Sequence, residues 1–157
     1  MTAEYPAADA PALLKLARED AGLTQRALAE RAGLTEDAVA AIEAGVASDD
    51  RSALHSLFGA AGLRPPVPLG FYAERLRGIA ERLGFAGVAV FGSAASGRDG
   101  PSSDVDLIVT APRGATLFDL GALQDAASGL LGFPVDILLD GDTGAVADRA
   151  RREAVPL

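Results

Sequence analysis

Phe91-Gly92-Ser93, then ten residues, then Asp104-Val105-Asp106: the rest of the chain is read outward from this stretch. An apolar run, Val88-Ala89-Val90, leads into it, and another, Leu107-Ile108-Val109, leads out. Both runs are short and rich in β-branched residues, which predicts two buried strands. Gly92 lets the backbone turn sharply after the first strand and lets a phosphate come close. Ser93 offers a hydroxyl and an N–H to phosphate oxygens. Gly97, Gly100 and Pro101 make the interval a loop. Asp104 and Asp106 stand two apart at a strand start, so both face the same way, with Cβ atoms roughly 6–7 Å apart. Two carboxylates at that spacing can close on shared divalent cations.

Downstream, Val135-Asp136-Ile137-Leu138-Leu139 predicts a third strand. If it lies beside the second, Asp136 becomes a third carboxylate of the cluster. Three carboxylates beside a phosphate-binding turn suit the two-metal route for phosphoryl and nucleotidyl transfer. On this reading Asp104, Asp106 and Asp136 are catalytic residues and metal ligands, and Gly92 and Ser93 bind the nucleotide. Asp136 is the candidate general base. A Gly-Ser pair alone is ordinarily a turn, and Asp-x-Asp is common on surfaces; it is their conjunction between strands that carries the reading. The chain has no cysteine and a single histidine, His55, which excludes disulfides, cysteine zinc sites and multi-histidine centres. Carboxylate ligands favour a hard cation such as magnesium.

Helical periodicity surrounds these strands. Phe71 to Leu83, Thr116 to Leu131 and Ala145 to Ala154 read as helices, so the C-terminal part is a small mixed sheet with flanking helices. The N-terminal part reads as helices alone. Leu13, Leu14, Leu16 and Ala17 form one apolar stripe, closed by Gly22. Thr24 caps a second helix carrying Leu28 and Ala29, and Thr35 caps a third carrying Val39 and Ile42. Gly45 stops the third, and Ala53 to Ala61 makes a fourth. The expected class is α+β overall. The expected boundaries are a loose arm over 1–10, an all-α domain over 11–64, a proline-rich linker over 65–70 and the sheet domain over 71–157. Pro65, Pro66 and Pro68 justify the linker, because prolines stiffen a segment and interrupt helices.

Of 157 residues, 49% are apolar and 23% charged, which places the chain among folded globular proteins. No apolar run approaches the roughly 20 residues that span a bilayer, and the first residues lack a basic n-region. No membrane and a cytoplasmic location are the expectation. The net charge of −8 repels nucleic acid unless a local basic patch offsets it. Thirteen arginines against one lysine, with abundant Ala and Gly, read as the coding bias of a GC-rich genome. Few aromatics and no tryptophan argue against a stacking platform for single strands.

Residues 71–157 resemble the minimal nucleotidyltransferases, antitoxin-type members of the DNA polymerase beta-like superfamily. Gly92, Ser93, Asp104, Asp106 and Asp136 carry the resemblance, and the tail Arg152-Glu153-Ala154-Val155-Pro156-Leu157 is similar to the family's closing helix. The resemblance implies ATP as substrate, Mg2+ (two ions) as cofactor and transfer of AMP. It implies as partner and acceptor a cognate toxin, a HEPN-type ribonuclease. The family often carries Arg three residues after the serine. Here that position is Ser96, and Arg98 is the candidate for the phosphate contact.

Residues 13–63 resemble the lambda-repressor/Cro-like helix-turn-helix family, through Ala21-Gly22-Leu23-Thr24-Gln25, Leu28-Ala29, Ala32-Gly33-Leu34-Thr35, Val39 and Ile42-Glu43-Ala44-Gly45. The resemblance implies that Gln25, Arg26 and Thr35 meet operator DNA. Residues 1–64 carry six basic and ten acidic side chains, and the third helix opens on Glu36-Asp37. Those two acids also complement a helix N-terminus. Arg18, Arg26 and Arg31 are a candidate basic edge. Operator DNA and protein docking therefore both stay open for this half, as does self-association. His55 reads as a structural residue packed on the fourth helix, with a ligand role as the alternative, and Arg149, Arg151 and Arg152 as a solvated helix face, with contact to an acidic partner or the nucleotide as the alternative. Three functions compete: an antitoxin-type transferase, a DNA-binding regulator with a nucleotide-sensing or inactive transferase domain, and, ranked last, a small-molecule transferase of the kind that inactivates aminoglycosides.

Overall fold

The protein is described here from a computed structural model that covers residues 5–46 and 50–157. Four helices open the chain: α1 (Ala10–Asp20), α2 (Gln25–Ala32), α3 (Glu36–Glu43) and α4 (Arg51–Ala61). Thr24 and Thr35 accept the N–H groups of Ala27 and Ala38, and Asp50 accepts those of Ser52 and Ala53, so orphan donors at three helix starts are satisfied. Leu13, Leu14, Leu28, Val39 and Leu57 are buried between the helices. Leu16 is not on that stripe. It is 41% exposed, because Ala10, Leu13, Leu14 and Ala17 take the inward positions at helical spacing.

The proline-rich segment is a helix, not a linker. Helix α5 (Pro66–Phe71) follows α4 closely, and Pro68 and Leu69 are buried. Pro66 and Pro68 fall in the first turn, where backbone N–H groups have no intrahelical partner to lose. The helix expected from Phe71 is thereby split: Tyr72 is the joint, and α6 (Ala73–Arg82) continues beyond it. The loose arm is also corrected for residues 5–10; residues 1–4 lie outside those described. Tyr5 packs on Phe58 and Tyr72, with ring centroids 5.3 and 6.3 Å away, and its hydroxyl donates to Leu131 O at 2.7 Å. Asp9 accepts from the Tyr72 hydroxyl at 3.0 Å and from Arg75 at 2.8 Å. An aromatic ring with this much area to bury is what pins the segment.

The sheet contains β1 (Ala86–Phe91), β2 (Val105–Thr110), β3 (Val135–Leu139) and β4 (Val155–Pro156) in the order β3-β2-β1-β4. Strands β1 and β2 are antiparallel. Strands β2 and β3 are parallel, joined through α8 (Leu117–Leu131), whose Thr116 and Asp119 form a capping box. Alternation along the strands sorts the side chains. Val88, Val90, Val105, Leu107, Val109 and Val135 join the main core with α6 and α8 residues such as Leu76 and Leu123. Ala89, Phe91, Ile108 and Leu138 face the other way and meet Ala150 of α9 (Ala145–Glu153). The expected closing helix ends at Glu153. Val155 and Pro156 form β4 against Val90 and Ala89, at an edge where a proline costs no ladder bond. The main core runs unbroken from Leu13 through Phe58 and Tyr72 to Leu131, across both halves. No described helix is long and apolar enough to cross a membrane. The α+β architecture is the one expected.

Candidate functional site

The site lies on the α9 side of the sheet, where β1 ends and β2 and β3 begin. Asp106 pairs in register with Phe91 of β1 on one side and Asp136 of β3 on the other. Adjacent strands lie about 4.8 Å apart, so the Asp106 and Asp136 side chains stand side by side on one face. Asp104 immediately precedes Val105, whose own side chain is fully buried in the main core. Burial holds the Asp106 carboxyl above the usual carboxylate range, and the charges of Asp104 and Asp136 push it the same way. Neighbouring carboxylates that raise one another's cost of ionisation are a place that a cation would stabilise. The donor set is entirely oxygen, which fits magnesium. Among the described residues no three acidic, histidine or cysteine side chains are drawn into a ready-made cage. Magnesium is usually held by one or two carboxylates together with substrate phosphates, so such a cage is not what it requires.

Gly92 opens the short helix α7 (Gly92–Ser96) with φ +72°, a conformation that favours glycine. A β-carbon there would overlap Asp106 Oδ2. The turn therefore needs glycine first to admit the Asp106 carboxylate, a reason not visible in the linear motif. Ser93 sits at the first turn of α7 and lines a cavity of about 480 Å³, together with Arg98 and Asp106. That volume falls within the range of small-molecule sites. The Ser96 hydroxyl lies 2.8 Å from Gly92 O and accepts the Arg98 Nε–H at 3.0 Å. The Arg98 N–H donates to Ser93 O at 3.1 Å. Ser96 thus holds the Arg98 side chain at the edge of the cavity that Arg98 lines.

The opposite wall comes from α9: Ala145, Val146, Arg149, Ala150 and Glu153. Sequence reasoning took Arg149 for part of a solvated face; it is exposed and pairs with Glu153 at 2.9 Å, yet it lines the cavity. Val146 and Ala145 were missed altogether. They belong to no motif, and only the position of α9 after the third strand hinted at them. Arg151 instead clamps the turn into α9, donating to Asp140 O at 2.7 Å and Asp142 O at 2.9 Å. Arg152 is exposed.

The candidate DNA contacts of the helical half are all engaged. Thr35 is a helix cap. Gln25 Nε2 donates to Glu43 Oε2 at 2.9 Å. Arg26 is exposed and paired with Glu30 at 3.0 Å. Arg18 leaves the proposed basic edge, because its guanidinium grips Glu43 at 2.7 and 3.0 Å and Leu23 O at 2.9 Å, with only 12% of the side chain exposed. Burial pushes the Glu43 carboxyl up, but the hydrogen bonds from Arg18 and Gln25 outweigh it and leave it below the usual range. Arg31 and His55 are exposed.

Two family models match the chain. One, described as a nucleotidyltransferase domain, matches residues 73–154, and the other, a helix-turn-helix domain, matches residues 12–69. A solved structure described as a minimal nucleotidyltransferase superposes with a TM-score of 0.54 at 38% identity, over 59% of this chain and 95% of that one. No curated protein matches significantly.

Proposed function

Because the chain belongs to the nucleotidyltransferase family, we propose that it transfers AMP from ATP to a hydroxyl of a cognate protein, a HEPN-type ribonuclease toxin, and so acts as an antitoxin. The observation that carries this reading is the register of Asp106 on Asp136 across parallel strands, with Asp104 adjacent and a cavity opening beside them.

The residues divide the work as follows. Ser93 and the α7 backbone receive phosphate oxygens, and Arg98 and Arg149 bring positive charge to the triphosphate. The acceptor oxygen forms a bond to the α-phosphorus, the bond from that phosphorus to the bridging oxygen breaks, and pyrophosphate leaves. The acceptor's proton passes to the Asp136 carboxylate. Asp104, Asp106 and Asp136 would hold two magnesium ions, which when bound neutralise the triphosphate and the leaving pyrophosphate. The acceptor is macromolecular on this reading, because the carboxylate side of the site lies open: Asp104 and Asp136 are both exposed.

The test is incubation of the chain with ATP labelled at the α-phosphate, magnesium and the protein encoded beside it. Label on the partner with the wild type and none with Asp104→Ala is expected. No transfer, with the two indistinguishable, would sink the proposal.

The matched helix-turn-helix domain, a DNA-binding fold, favours a second role. The chain would bind its own operator, with the exposed Arg26 and Arg31 near the phosphates. A mobility-shift assay on the promoter at low salt, with Arg26→Ala as comparison, decides whether this half serves operator binding or partner docking.

A further inference from the structure

The loop joining α7 to β2 does not rest on the sheet domain alone. The Asp99 side chain is wholly buried, and neither carboxylate oxygen has a hydrogen-bond partner. Its counter-charge is Arg64, with Nη1 3.4 Å from Asp99 Oδ2. Arg64 lies between α4 and α5, inside the segment matched as the helix-turn-helix domain. Its Nε and Nη2 donate to Asp20, the last residue of α1, at 2.9 and 2.7 Å. One planar guanidinium thus serves two carboxylates, one from each half, a task that a single ammonium point charge performs poorly. Beside it, a β-carbon added at Gly62 would meet Pro101 of the same loop at 3.7 Å. A buried carboxylate without hydrogen bonds is expensive unless a charge offsets it. Arg64 is that charge. The residue before Asp99 is Arg98, whose side chain lines the cavity.

We propose that Arg64 is a positioning residue of the transferase: by compensating Asp99 it seats the loop on the helical domain and so presents Arg98 to the triphosphate. The helical half then sets nucleotide affinity without touching the nucleotide. This rests on the nucleotide reading above.

The experiment uses the full chain with magnesium-ATP titrated calorimetrically, hydrogen exchange read over residues 97–103, and thermal melting to confirm folding. Arg64→Ala is expected to weaken ATP roughly tenfold, the size that such packed networks transmit, and to raise exchange in the loop. Arg75→Ala also removes an ion pair between the halves, with Asp9, but it does not reach the loop. It is expected to change neither readout. Adding Asp99→Asn to Arg64→Ala is expected to recover most of the lost affinity, since an amide needs no counter-ion; this variant also carries the test if Arg64→Ala folds poorly. Unchanged affinity and exchange in Arg64→Ala would overturn the proposal, as would equal losses in Arg75→Ala. A wild type that binds no ATP would instead remove the nucleotide reading, with the exchange data still deciding whether Arg64 holds the loop.

Discussion

At the residue scale, Gly92 and Asp106 form one unit. The left-handed turn strains any side chain at position 92, and the carboxylate beside it would have to move aside. Gly92→Ala is expected to cost about 1–3 kcal/mol of stability through backbone strain, and to displace Asp106 as well. Transfer activity should therefore fall further than melting temperature does, a comparison that a labelled-AMP assay beside a thermal melt makes directly. Asp106→Asn should behave in the opposite way. It removes a charge that burial and two neighbouring carboxylates disfavour, so the melting temperature should hold or rise while transfer drops on the order of a thousandfold. A variant that melts early would show that Asp106 is needed for folding. The linear motif named both residues, but not their contact, because the ten residues between Ser93 and Asp104 hide how β2 returns alongside β1.

At the element scale, the helical half is tied by Glu43, which ends α3 and collects Arg18 from α1 and Gln25 from α2. Glu43→Gln leaves a largely buried guanidinium with a neutral partner. A loss of about 3 kcal/mol is expected near neutral pH, as for other broken buried pairs. The sign of the pH dependence follows from the lowered carboxyl. Its stabilisation is present above the ordinary glutamate range and is lost as pH falls through the depressed folded value. The difference in melting temperature between wild type and Glu43→Gln should accordingly shrink below about pH 4; a constant difference would contradict it. The helix starts at Thr24, Thr35 and Thr116 and the third strand were legible from local residues, because caps and apolar runs act locally. Helix α5 was not, because the same prolines that forbid a helix interior are permitted in its first turn, and only burial of Pro68 and Leu69 decides between the two. The closing strand was illegible for a related reason: Val155 and Pro156 are too few to show a period, and their pairing with Val90 and Ala89, extended by Leu157 N–H to Val88 O at 3.1 Å, is a distant contact. Arg18 was misplaced because the partner that decides its exposure, Glu43, is distant in sequence, and Leu16 because it lies just off the inward stripe of Leu13, Leu14 and Ala17.

At the scale of the whole molecule, the two halves share one core. Tyr5, Phe58, Tyr72 and Leu131 come from four separate segments and meet in it. Calorimetry on the full chain should therefore show one cooperative transition whose van't Hoff and calorimetric enthalpies agree, where independent domains would give two. Tyr5→Phe, which removes only the hydroxyl donated to Leu131 O, should lower stability by about 1 kcal/mol, read as a shifted denaturant midpoint with an unchanged slope. The pairing of Asp106 with Asp136 has a consequence for how such preparations behave. In β3 the residues flanking Asp136, Val135 and Ile137, belong to the main core. A strand slipped by one residue would bury the carboxylate and expose both of them. Oily side chains thus proofread the position of the acid. Misassembled molecules should be discarded as unfolded rather than linger as sluggish catalysts, and titrating active sites in a preparation should amount to counting its folded molecules.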